Sequence, residues 1–104
     1  MSLGADRRTF THMQALLVLH AEQLGYGIAG KWWYRPTDSD VGHKESLHHK
    51  SLAIDYDLYL ADGTYLDSGN EHSELHDYWD SIGGNARIDK DMNHYSFGDY
   101  GGVR

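Results

Sequence analysis

The sequence predicts an α+β domain, with a small antiparallel sheet of about four strands and two main helices packed to one side. Three observations predict it. Apolar residues recur at helical spacing over 6–24, residues 52–60 alternate as a strand that runs into an Asp-Gly turn, and a second helical period over 73–82 stops at Gly83-Gly84.

In the first helix, Phe10, Met13, Leu16, Leu17, His20 and Leu24 step by three and four and mark one apolar face. Asp6 is its expected N-cap and Gly25 its expected C-terminal glycine. His20 lies on the stripe and reads as a packed, hydrogen-bonded core histidine, whereas His12 points to solvent. The turn from Gly25 to Gly30 leaves room for a short strand at 26–28. In Trp32-Trp33-Tyr34-Arg35-Pro36 the aromatics suit a core. Arg35, fixed between aromatics and a proline, either clamps a carboxylate or oxyanion or makes a surface salt bridge. Residues 37–45 are polar and read as a loop over the site, with His43 exposed in it.

Alternation then sets Ala53, Asp55, Asp57 and Tyr59 on one face of the central strand, and Ile54, Tyr56, Leu58 and Leu60 on the other. The second face is the apolar one and is expected to pack on the first helix. Asp55 then points away from that core into a cleft. Ala61-Asp62-Gly63-Thr64 is a hairpin turn, and Tyr65-Leu66 starts the return strand. After a loop at 67–71, Ser73 is the expected cap of a helix running to about Ile82, with Leu75, Tyr78, Trp79 and Ile82 on its apolar side. His72 and His76, near its start, read as solvated. Residues 94–97 alternate like a short strand, and the glycine-rich tail from Gly98 to Arg104 is expected to be poorly ordered.

At 104 residues there is room for one domain, 1–104, and one core. The formal charge of −7 argues against nucleic acid, whose binding rests on Lys and Arg clusters. No cysteine is present, so there is neither a disulfide framework nor a thiolate metal site. Any metal is held by His, Asp or Glu, and eight histidines are available. No targeting segment is visible, and the longest apolar run, residues 15–19, is too short for a membrane span. The expectation is synthesis in the cytoplasm without a signal peptide and no membrane insertion, with the oligomeric state open and a monomer favoured.

His48 and Asp55 stand seven residues apart, and Asp91-Met92-Asn93-His94 sets a carboxylate three before a histidine. Asp is depleted in strands, and a lone carboxylate facing a core carries a heavy desolvation cost, so Asp55 calls for a reason. Two imidazoles, one carboxylate and a spare carboxylate are the parts of a mononuclear catalytic zinc site. His48, Asp55 and His94 would be the three ligands. Asp91 would be the general base, which must not itself be a ligand. Asp-x-x-His alone also fits an acidic turn with Asp89 and Lys90; joined to His-x6-Asp it is far more specific.

These residues also resemble a known family. Ser46-x-His48-x6-Asp55, with Ala53 two before the aspartate, is similar to the signature of the zinc D-Ala-D-Ala carboxypeptidase and L-alanyl-D-glutamate endopeptidase family. That group shares its fold with the vancomycin-resistance dipeptidases and the Hedgehog signalling domain. Arg7-Arg8-Thr9-Phe10, Ala53-Ile54-Asp55, Trp79-Asp80-Ser81-Ile82-Gly83-Gly84 and Asn93-His94-Tyr95-Ser96 resemble its small phage and prophage endolysin-like members over nearly the whole chain.

The resemblance implies zinc held by His48, Asp55 and His94, with Asp91 as base, and its spacing selects His48 over His49. It assigns Arg35 to the scissile carbonyl or tetrahedral intermediate and Ser46 to support of the site or contact with substrate. The implied substrates are peptidoglycan stem peptides, reached after release of the protein from the host cytoplasm, with no cell-wall-binding domain. Ser51 departs from a common glycine, and Ala86-Arg87 occupy a region where a tryptophan is usual. Two other readings stand beside the peptidase: a non-catalytic zinc-binding recognition module, and a zinc amidase of the cell wall.

Overall fold

A computed structural model describes residues 2–31 and 47–99, without the side chains of His48 and His49. The first helix, α1, spans Leu3–Gln23. It begins before the expected start, because Ser2 rather than Asp6 caps it, its hydroxyl accepting from the Ala5 N–H at 3.0 Å. Asp6 instead sits in the first turn and is buried. The buried stripe is Asp6, Phe10, Met13, Leu17 and Ala21, so the helix turns its face slightly from the expected one and leaves Leu24 exposed. His20 is half-buried and stacks on the Tyr78 ring at 4.1 Å, which replaces the expected core hydrogen bond with a ring contact. Gly25 ends the helix with φ +95°, a conformation that costs glycine nothing.

Among the described residues the sheet has four antiparallel strands: β1 (Gly27–Lys31), β2 (Ala53–Tyr59), β3 (Tyr65–Leu66) and β4 (His94–Ser96). β2 is central. One of its edges pairs with β1 along its length, from Gly27 opposite Tyr59 to Lys31 opposite Asp55. The other edge is shared: β4 pairs with residues 53–55 and β3 with residues 58–59. The β2–β3 connection turns at Gly63 (φ +92°), and Asp62 Oδ1 accepts from the Thr64 N–H and hydroxyl.

The second helix, α2, spans His72–Ser81. Glu71 stands at its N-cap without a capping side-chain bond, so the expected Ser73 cap is replaced by a start two residues earlier. Gly83 (φ +100°) stops it, and Gly84 lies so close to Trp79 that a Cβ there would sit 2.0 Å from the indole nitrogen.

Both helices lie on the Ile54–Tyr56–Leu58 face, as the alternation predicts. The Tyr56 hydroxyl donates to Gln14 of α1 at 3.1 Å, and Tyr95 of β4 packs edge-on against Trp79 of α2. Phe10, Leu17, Leu58, Leu75, Trp79 and Tyr95 are fully buried between the layers. Burial pushes the Tyr56 hydroxyl up to about 12 and Tyr95 higher, so both stay protonated donors. Among the described residues no helix is long and apolar enough to cross a membrane. The tail from residue 100 onward lies outside the described residues.

Candidate metal centre

Asp55 and His94 are Cα partners in the antiparallel β2–β4 pair. Directly opposed residues send their side chains to the same face, a few ångströms apart. His94 Nδ1 lies 3.4 Å from Asp55 Oδ1, and both side chains are buried, their residues 4% and 7% exposed. A charge-assisted N–H···O bond is about 2.7–2.9 Å long. Two ligands each about 2.0–2.1 Å from a tetrahedral zinc stand about 3.3 Å apart. A separation of 3.4 Å is within reach of an ion pair and also matches two neighbouring ligands of one metal; the pair lies on the face opposite the helices, where alternation set Asp55. Asp55 is buried on that face, and the loop expected over it, residues 37–45, lies outside the described residues.

Several bonds fix β4 in this register. Trp79 Nε1 donates to the Ser96 carbonyl at 3.0 Å, and the Asn85 amide donates to Ser96 Oγ and the Gly98 carbonyl. On the N-terminal side, His94 N–H donates to the Asp91 carbonyl at 3.1 Å. Asp91 and His94 thus occupy the first and last positions of a hydrogen-bonded β-turn. Asp91 is exposed and lines a cavity of about 250 Å³.

The backbone of His48 belongs to a single 3-10 turn, Leu47–Lys50, at the head of β2. Leu47 is fully buried, Leu52 N–H donates to its carbonyl at 2.9 Å, and Arg7 Nε of α1 donates to the Lys50 carbonyl at 2.7 Å. Ser51, between turn and strand, has φ +59°, the left-handed region that glycine occupies without strain. The ring of His48 lies outside the described residues, and so do Arg35, Ser46 and His43. Among the described side chains no three His, Asp or Glu converge on a metal position. The described part of the predicted centre is thus the pair Asp55–His94, with Asp91 on the adjoining turn.

His72 and His76 are corrected from solvated to buried, at 3% and 0% exposure. With Leu75 and Trp79 they form the inner stripe of α2, at spacings of three and four. That periodicity was legible in the sequence; histidine's usual preference for the surface hid it. His76 Nε2 donates to the Met92 carbonyl at 2.7 Å and its ring stacks on Tyr95 at 4.2 Å, so α2 grips the turn that carries Asp91. His72 Nδ1 meets the Tyr95 hydroxyl at 2.7 Å. Burial lowers the pKa of both rings, that of His76 to about 4.

Comparison of the chain with protein-family models, with curated proteins and with solved structures finds no match.

Proposed function

We propose that this protein is a zinc-dependent peptidase of the Hedgehog and D-Ala-D-Ala peptidase fold, of the phage or prophage endolysin kind, that cleaves peptidoglycan stem peptides. The observation that carries the reading is the buried Asp55–His94 pair at ligand spacing, 3.4 Å across β2 and β4. Neighbouring observations support it. Asp91 shares a β-turn with His94, and the 3-10 turn bearing His48 is tied to both α1 and β2. Ser51, where the family commonly has glycine, keeps a glycine-like φ.

His48, Asp55 and His94 would hold the zinc, an imidazole–carboxylate–imidazole set suited to that ion. Zinc bound there would supply a Lewis acid that polarises the scissile carbonyl and makes water acidic enough to attack near neutral pH. Asp91 takes the proton of the attacking water on its carboxylate and returns it to the leaving amine. Arg35 holds the carbonyl oxygen as negative charge develops on it, and Ser46 supports the site.

A recognition module would have no use for a carboxylate fixed on the same turn as His94, which favours catalysis over zinc binding alone. The test is mass spectrometry of defined muropeptides incubated with the zinc-loaded chain. Cleavage at a stem-peptide bond is the expected result. Cleavage only between sugar and peptide would identify an amidase. Intact muropeptides alongside bound zinc would identify a recognition module.

A further inference from the structure

β3 and β4 share one edge of β2 and leave a notch between them, and the 250 Å³ cavity opens there. Its walls include Asp57 of β2, Leu66 of β3, Gly69, His72 of α2, and Asp91 and Met92 of the turn before β4. The cavity starts two residues along β2 from Asp55 and ends one residue short of His94.

His72 is almost wholly buried, yet it lines this space. Its Nδ1 meets the hydroxyl of Tyr95, which makes no other hydrogen bond to a described residue. If Nδ1 carried the proton, the buried phenol O–H would have no acceptor, which is costly. The phenol therefore donates to Nδ1, which in a neutral imidazole leaves the proton on Nε2. Burial lowers the pKa of this ring, which keeps it neutral near pH 7. Nε2 makes no hydrogen bond to a described residue and is not among the fully enclosed polar atoms, so its N–H is available to a ligand in the notch.

Asp57 offers the complementary group. Lys31 Nζ at 3.6 Å and the Tyr65 hydroxyl at 3.5 Å both address its Oδ1. Oδ2 makes no hydrogen bond to a described residue. A cavity walled by a neutral donor on one side and a carboxylate acceptor on another disfavours a bare anion, because Asp57, Asp67 and Asp91 outweigh the one cation in the wall, Lys90. It also disfavours a bare cation, which would leave the buried donor unmet. An amide satisfies both.

We infer that the notch is a subsite for a peptide segment, with the His72 Nε2–H donated to a backbone carbonyl and a neighbouring N–H taken by Asp57. This rests on the peptidase reading only for the identity of the peptide, a stem peptide whose scissile bond lies beside Asp91. His72 acts here as a substrate-binding residue, and Tyr95 as the positioning residue that sets its tautomer.

The test is histidine-ring nitrogen NMR on the full chain with Asp91→Asn, so that added stem tetrapeptide is consumed far more slowly, alongside a cleavage assay on the parent. The expected results are an Nε2–H tautomer at His72 before addition, a shift of that resonance on addition, and cleavage by the parent. In kinetics, His72→Phe should lower kcat/KM roughly 5- to 100-fold, mostly through KM, the range for leaving one buried hydrogen-bonding group unmet. His72→Gln, which returns an N–H donor, should recover part of the loss. Cleavage with no shift at His72 overturns this inference and leaves the peptidase reading standing. A shift without cleavage supports the peptide subsite and overturns the peptidase. Neither shift nor cleavage overturns both.

Discussion

His94 and Asp55 face one another across two hydrogen-bonded strands, with Nδ1 of one 3.4 Å from Oδ1 of the other. The relationship depends on register, because a slip of one residue would turn either side chain to the helix-covered face. Ser96 sets the register. It is held by the Trp79 indole and the Asn85 amide, so packing at the end of α2 reaches the pair through the backbone of β4.

The first prediction concerns metal content. The parent chain should bind about one zinc, as a single three-ligand centre requires. Asp55→Ala, His94→Ala and His48→Ala should each abolish tight binding, whereas His49→Ala should not. Elemental analysis after dialysis checks this. Loss with His49→Ala and retention with His48→Ala would mean that the ligand register is off by one.

A second prediction follows from Ser51. Its φ of +59° is strained for a residue with a Cβ. A left-handed conformation costs about 1–2 kcal/mol, and glycine returns part of that through the greater freedom of its unfolded chain. Ser51→Gly should therefore stabilise the fold by roughly 0.5–1 kcal/mol in denaturant unfolding. Destabilisation would show that the serine side chain contributes more than its backbone costs.

The third concerns pH. His76 is fully buried and its pKa falls from 6.5 to about 4, with burial as the largest cause; the hydrogen bond to the Met92 carbonyl opposes the shift and nearby Arg87 adds to it. Above pH 6.5 both folded and unfolded chains hold the ring neutral, and the stability it permits is fully present. Between pH 6.5 and about 4 the unfolded chain takes up a proton that the folded chain refuses, so stability falls as pH falls. The loss should be on the order of 2–3 kcal/mol across that window. Replacing His76 with Gln should flatten the stability curve there. An unchanged slope in equilibrium unfolding would assign the acid sensitivity to other groups.

Much of this arrangement was legible in the sequence. The parity of β2 separated Asp55 from Ile54 and Tyr56, and Asp62-Gly63 marked the hairpin, because both signals are local. Helix starts were less legible. Ser2 and Asp6 are both good caps, and the choice between them depends on Asp6 being drawn into the interior by tertiary packing. The buried His72 and His76 were missed for a related reason. Imidazole is polar enough to suit solvent, and only the meeting of α2 with Tyr95 and the Met92 carbonyl shows why each ring is inside. The Asp55–His94 contact joins residues 39 positions apart, and a short strand such as 94–96 carries too little pattern to declare its partner.

Asp91→Asn provides the most direct measurement. The change keeps the size of the side chain and the turn that closes on His94, and removes the basicity. Zinc-loaded parent and variant are incubated with the same defined muropeptides, and products are followed by mass spectrometry while zinc content is measured in both. A positioned general base contributes about 10²–10⁴ in rate. The account predicts equal zinc in the two proteins and stem-peptide cleavage slower by about that factor in the variant. Cleavage at the parental rate by Asp91→Asn, with zinc bound, would contradict it.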